Sequence, residues 1–210
     1  MPAADRSMEG IYLKERPGEN ERRNLLQQVA MGLQSLHEKG FVHGDVKKLN
    51  VMRVGNSLKL IDFDATKRFG HLVGAKFSSG ILPPGKFLQL FYKLNSETEK
   101  NLYCSHWSSA KLTNPELWQK VKPKYGYVVK TFQNTQYKLP YDLVKAHPSL
   151  DAWAFGVLMY QMYSGGELVP TNINQDVLDD KIEQAATWTQ ELLEFRIRKN
   201  ISNAFVRDLL

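Results

Sequence analysis

Apolar positions recur at three- and four-residue steps through Leu25, Leu26, Val29, Ala30, Leu33 and Leu36, which marks one face of a helix. Gly40 closes that pattern and Phe41-Val42 leads straight into His43, so a loop opens just past a buried helix. Two further apolar runs, Val51 to Val54 and Leu58 to Ile61, flank Gly55-Asn56-Ser57 and predict a hairpin. Asn50 and Asp62 fall at its two ends, where the pairing would bring their side chains close together. Leu150 to Tyr163 is apolar nearly all round, the pattern of a helix buried on every side. Ile201 to Leu210 reads as another helix, ending in an apolar pair.

Composition removes several function classes. With 210 residues and 42% hydrophobic content, the chain can bury a core as a single domain. It has no run of about eighteen apolar residues and no signal-peptide pattern at its start, so neither a membrane span nor secretion by that route is expected. A single cysteine, Cys104, and five scattered histidines exclude a disulfide framework and a Cys/His zinc site. The expected compartment is reducing and cytoplasmic. No recognised nucleic-acid-binding module is present, and nucleic acid is not an expected partner.

The chemistry concentrates between residues 43 and 64. His43-Gly44-Asp45 is followed by Asn50, and then by Asp62-Phe63-Asp64. This spacing is what ATP-dependent phosphoryl transfer requires. One carboxylate orients a hydroxyl nucleophile, while an amide oxygen and a second carboxylate hold the metal that bridges the phosphates.

Four segments carry a resemblance to a known family. Leu36 to Val51, through His43-Gly44-Asp45 and Asn50, resembles the catalytic loop of protein kinases, and Asp62-Phe63-Asp64 resembles their Asp-Phe-Gly. Ser78-Ser79-Gly80-Ile81-Leu82-Pro83-Pro84-Gly85 is similar to the end of the activation segment, where the family has Ala-Pro-Glu. Asp151-Ala152-Trp153-Ala154-Phe155-Gly156 is similar to the family's buried Asp-x-Trp-x-Phe-Gly helix. Lys47, two residues after Asp45, matches the serine/threonine type, within the tyrosine-kinase-like group.

The resemblance implies an α+β, mainly helical fold, with residues 1–210 forming a carboxyl-terminal lobe only. Met1 to Met8 resembles the hinge, no Gly-x-Gly-x-x-Gly occurs in the sequence, and Gly85 stands where the family has Glu. The implied activity is an ATP-dependent protein serine/threonine kinase fragment, inactive alone for want of the amino-terminal lobe. ATP and Mg²⁺ are the implied cofactors and a protein hydroxyl the implied acceptor. On this reading Asp45 accepts or orients the hydroxyl proton, and Lys47 neutralises the migrating phosphoryl group. Asn50 and Asp62 ligate Mg²⁺, and Asp5 touches the ribose. His43, Phe63 and Asp151 hold the loop by packing and hydrogen bonding, and Lys48 is surface charge.

Two departures bear on regulation. Gly44 replaces the Arg of His-Arg-Asp, which removes the usual acceptor for a phosphate on Thr66, Ser78 or Ser79. Asp64 replaces the Gly of Asp-Phe-Gly, whose positive-φ freedom Asp shares less readily. Two other readings stay open. One is a pseudokinase-like module that binds partners. The other is a small-molecule phosphotransferase of the aminoglycoside or choline kinase type, in which His-Gly-Asp and Ile-Asp-Phe-Asp are common.

Gly85 and Asp151 lie sixty-six residues apart, so residues 88–147 read as an insertion between the activation segment and the buried helix. Between Leu88 and Pro140 eight lysines face three glutamates, and nine aromatics accompany them. That segment therefore holds +5 of the chain's net charge of +6. Its aromatic content, with Lys124-Tyr125-Gly126-Tyr127-Val128-Val129, predicts an ordered, partly β segment. Its lysines are either a solvated face over a small aromatic core or a docking surface for an acidic partner.

Overall fold

The computed structural model describes residues 4–73, 77–83, 145–181, 184–185 and 188–210, together with 91–93, 97–98, 101, 105, 108–109, 112–113, 123–124, 127–129, 132–133 and 142–143. Strand β1 (Arg6–Ser7) runs into helix α1 (Met8–Glu15) and then the long helix α2 (Glu19–Glu38). Ser7 caps α1 by accepting the Gly10 N–H at 3.2 Å, satisfying one of the free amides of the first turn. The apolar face expected on α2 is the buried one, through Leu25, Leu26, Val29 and Leu33.

The predicted hairpin forms from β3 (Val51–Val54) and β4 (Ser57–Leu60), with Val51 opposite Leu60 and Val54 opposite Ser57. β1 adds on the other side of β3 to give an antiparallel order β1-β3-β4. A second antiparallel pair, β2 (Phe41–Val42) with β5 (Lys67–Arg68), ties the start of the 43–50 loop to the segment after Asp62. These two short pairings bracket all of the candidate chemistry except Asp5.

Helix α3 spans Ser149–Ser164 and buries Ala154, Val157, Leu158, Met159, Tyr160 and Met162. It packs with Met8 and Ile11 of α1, the buried face of α2, Val46, Val51 and Ile81 into one core. The site loop thus rests directly on the core through Val46, which has no exposed surface. The carboxyl-terminal stretch differs from the sequence expectation. Helix α4 (Gln190–Asn200) ends before Ile201, and a separate helix α5 begins only at Ala204 and runs to Leu209. Asn203 explains the break, because its side chain accepts the Val206 N–H at 3.1 Å and so starts a new helix.

In the basic segment, β6 (Phe91–Lys93), β7 (Pro123–Lys124) and β8 (Tyr127–Val129) form an antiparallel sheet in the order β6-β8-β7. β9 (Phe132–Gln133) pairs with β10 (Asp142–Leu143). Of the segment's lysines and aromatics, Trp107, Trp118, Lys120, Lys122 and Tyr125 lie outside the described residues, as do Pro84, Gly85 and Cys104. Among the described residues no helix is long and apolar enough to cross a membrane.

Candidate active site

Asp151, at the start of α3, is the anchor on which the loop is built. Its carboxylate has no exposed surface and accepts the His43 N–H at 2.7 Å and the Gly44 N–H at 2.9 Å. His37, at the end of α2, adds an Nε2 contact at 2.8 Å. A carboxylate only accepts, so His37 carries its proton on Nε2. One buried carboxylate therefore joins α2, the loop and α3.

His43 locks the other direction. Its Nε2 lies 3.1 Å from the Ile61 carbonyl and its Nδ1 accepts the Asp45 N–H at 3.3 Å. Carbonyl on one side and amide on the other assign the neutral ring with its proton on Nε2. The ring also stacks, tilted, against Phe63 with centroids 5.1 Å apart. His43, Phe63 and Asp151 thus make the packing and hydrogen-bonding contacts expected of them.

Both oxygens of Asp45 are held. Oδ1 accepts the Ser78 N–H at 2.8 Å, and Oδ2 accepts from Asn50 Nδ2 at 3.0 Å. Lys47 Nζ lies 3.1 Å from Oδ2 and 2.6 Å from Ser78 Oγ. Asn50 also donates to the Asp45 carbonyl at 2.9 Å, so its amide nitrogen faces Asp45 and its oxygen remains to accept. The structure brings Asp45, Lys47 and Asn50 into direct contact. The Asp45 side chain keeps 12% of its surface exposed, enough to leave it reachable from the cleft.

That cleft, about 380 Å³, is lined by Asp45, Lys47, Asp62, Asp64, Ala65, Phe77, Ser78, Asn174 and Asp176. Asp62 sits on it, exposed, at φ 62° and ψ 71°. The left-handed residue of this motif is thus Asp62, whereas Asp64 lies inside the short 3₁₀ turn Phe63–Ala65. Asp5 is not part of the lining. It opens β1 with its N–H on the Arg53 carbonyl at 2.8 Å, and it is exposed.

Gly44 is required by its surroundings. It sits at φ 82°, and a Cβ there would lie 2.9 Å from the Ala65 carbonyl oxygen. Glycine at this position therefore lets the Asp45 loop and the Asp62–Ala65 segment touch backbone to backbone. Ser78 and Ser79, considered above as phosphorylation sites, are both buried, with hydroxyls engaged by Lys47 and Asp176 respectively.

Lys48 corrects the sequence reading. It is not surface charge but is buried, with Nζ 2.7 Å from Glu9 and 3.4 Å from Glu167. Its partners are remote in sequence, and adjacency to Lys47 gave no signal of them. Asp176 and Asn174 were also missed, because nothing local in the sequence links residues 171–177 to the loop.

A magnesium ion takes oxygen ligands, few of them from protein. The Asp62 and Asp64 carboxylates on the cleft and the amide oxygen of Asn50 are donors of the kind Mg²⁺ takes, although Asn50 is buried and does not line the cleft. Among the described residues no cluster of three or more His, Cys, Asp or Glu is placed to hold a metal ion.

The chain is similar to known kinases over part of its length. A family model for the protein kinase domain matches residues 5–78. The hormonally up-regulated neu tumor-associated kinase of Homo sapiens is 27% identical over 159 residues, covering 75% of this chain and 16% of that protein. Its homolog B from Xenopus laevis is 27% identical over 159 residues, covering 75% and 18% respectively. The chain spans less than a fifth of the length of these relatives. A solved chain from the yeast RNA Pol II CTD kinase CTDK-1 complex aligns with a TM-score of 0.49 at 15% identity, over 86% of this chain and 43% of that one. The family match thus covers the stretch that holds Asp45, Lys47, Asn50 and Asp62.

Proposed function

We propose that this chain carries the acceptor-orienting half of a serine/threonine-type protein kinase site. The observation that supports it best is Asp45, a buried carboxylate gripped at both oxygens and opening onto the same cleft as Asp62. Oδ1 retains a lone pair beyond its bond from the Ser78 N–H, whereas Asn50 and Lys47 both contact Oδ2, so an incoming hydroxyl can donate to Oδ1 while Ser78 and Asn50 fix the acceptor's direction. Positioning of this kind supplies most of the catalysis in phosphoryl transfer. Lys47 places a point charge beside that hydroxyl, where negative charge accumulates as the phosphoryl group moves. Mg²⁺ held by Asn50 and Asp62 would neutralise phosphate oxygens of ATP.

The acceptor class follows from Lys47 and from the Ser78–Leu82 turn beside Asp45, which together favour a protein hydroxyl over a small alcohol. The 210 residues hold no Gly-rich phosphate loop, so ATP anchoring depends on residues outside them, and the chain by itself is expected to transfer phosphate poorly. The carboxyl-terminal-lobe reading, the ribose role of Asp5 and the acidic partner for the basic segment belong to the same proposal. The test compares γ-phosphate transfer to a serine/threonine protein, to an aminoglycoside and to choline, by the chain alone and by the chain joined to a kinase upper lobe. Transfer only to the protein, and only by the joined form, is expected. Transfer to a small alcohol alone would overturn the assignment.

A further inference from the structure

The turn that supplies the Ser78 amide to Asp45 is itself held from a distant part of the chain. Ser79 donates its N–H to Asp176 Oδ1 at 3.0 Å and its hydroxyl to the same oxygen at 3.1 Å. The Ser79 Oγ in turn accepts the Val177 N–H at 2.9 Å. Next along, the Gly80 N–H reaches the Gln175 carbonyl at 2.9 Å. A Cβ on Gly80 would fall 2.5 Å from Thr171 Cγ2 and 2.6 Å from the Gln175 carbonyl, so the two segments are in backbone contact with no room between them.

The loop that makes these contacts is rigid on its own account. Asn172 Oδ1 accepts the Asn174 and Asp176 N–H groups at 2.9 and 3.1 Å, and the Asn172 N–H reaches the Asp176 carbonyl at 2.8 Å. Thr171 and Val177 close it as an antiparallel bridge. Gln175 takes φ 62° at its tip and is buried. A self-supported loop is what an anchor requires, because a flexible one would follow the turn and not fix it.

We propose that Asp176 is a positioning residue. It pins the Ser79–Ile81 turn from the 171–177 loop, and the pinned turn holds the Ser78 N–H on Asp45 Oδ1 and the Ser78 hydroxyl under Lys47. The chain of contacts runs Asp176, Ser79, Ser78, Asp45, with every link a hydrogen bond or a peptide bond. The catalytic meaning of the anchor rests on the kinase-like reading of Asp45, but its existence does not. Sequence position hides it, since Ser79 and Asp176 are separated by 97 residues.

The experiment is residue-resolved amide hydrogen exchange on the full chain for wild type, Asp176→Ala, Asp176→Asn and Ser79→Ala. Loss of hydrogen bonds to a carboxylate should speed the Ser78, Ser79 and Val177 amides by roughly tenfold or more in Asp176→Ala, while Val157 and Leu158 in α3 keep their rates. Asp176→Asn keeps an oxygen that accepts both Ser79 donors, so it should restore all three rates to within about threefold. Ser79→Ala removes only the hydroxyl bridge and should speed Val177 most; it also serves if Asp176→Ala does not fold. Asp176→Ala that frees Ser79 but leaves Ser78 slow would overturn the proposal, because the anchor would then not reach Asp45. Equal acceleration everywhere, α3 included, would overturn it too, as a general loss of stability. Failure of the kinase reading is distinct: it would appear as phosphoryl transfer indifferent to Asp45, with the exchange pattern intact.

Discussion

Asp45 and Asp62 face one cleft, yet the chain holds them in opposite ways. Behind Asp45 stand a fully buried carboxylate with three donors, a histidine bonded at both ring nitrogens and a turn supplying an amide. Asp62 is exposed and left-handed, and its neighbour Phe63 is half exposed. On the proposed function the difference matches what each has to do. A group that aims a proton acceptor at a hydroxyl gains from rigidity, whereas a metal ligand must admit an ion that keeps several waters.

Removing the rear anchor is the harshest test of this contrast. Asp151→Ala strands the buried His43 N–H and leaves the part-buried Gly44 and His37 donors without their acceptor, and should cost about 3–5 kcal/mol in urea unfolding. A loss below roughly 1 kcal/mol, the worth of an ordinary hydrogen bond, would show that the loop is held elsewhere. Gly44→Ala probes the junction between the two halves. Its strained φ and the close Ala65 carbonyl should cost about 1–3 kcal/mol, measured the same way.

On the open side the expectation reverses. Asp62→Gly suits the left-handed backbone and removes an exposed side chain, so stability should stay within about 0.5 kcal/mol of wild type. Binding of Mg²⁺ in the presence of ATP, followed by calorimetry on the joined form, should nonetheless be lost. A large stability change with intact metal binding would invert the roles assigned to the two halves.

The smallest effect lies away from the cleft. Arg53 donates to both oxygens of Glu15, at 3.1 and 2.6 Å, and Arg6 adds a third contact. The Arg53 hydrogen bonds, ahead of the opposing effect of burial, hold the Glu15 carboxyl below its ordinary range. A carboxylate with a depressed folded pKa stabilises the fold above its unfolded pKa and loses that contribution as pH falls through the folded one. The stability difference between wild type and Glu15→Gln should therefore be small at neutral pH, shrink with salt, and vanish in acid. A difference that grew on acidification would contradict the sign.

Periodicity made the scaffold legible. The apolar face of α2, the Val51–Val54 hairpin arm and the all-round apolar α3 follow from local patterns, and so does the spacing that puts Asp45, Lys47 and Asn50 on one loop. What the sequence hid is long-range or conformational. Lys48 reads as surface charge because Glu9 and Glu167, which bury it, lie far off along the chain. The Ser79–Asp176 bond is invisible for the same reason. The positive φ of Asp62 has no residue-type signal, since glycine stands at neither Asp62 nor Asp64. The helix expected from Ile201 starts only at Ala204, because Asn203 caps it there and its capping bond competes with helix continuation.

The central claim is that Asp45 orients the acceptor in a phosphoryl transfer. Its most direct test is γ-phosphate transfer from ATP and Mg²⁺ to a serine/threonine protein by the chain joined to a kinase upper lobe, with and without Asp45→Asn. The account predicts measurable transfer that falls by about a hundredfold or more in the variant, the range expected for a positioned proton acceptor. Transfer at the wild-type rate by Asp45→Asn, or none at all by the unmutated joined form, would contradict it.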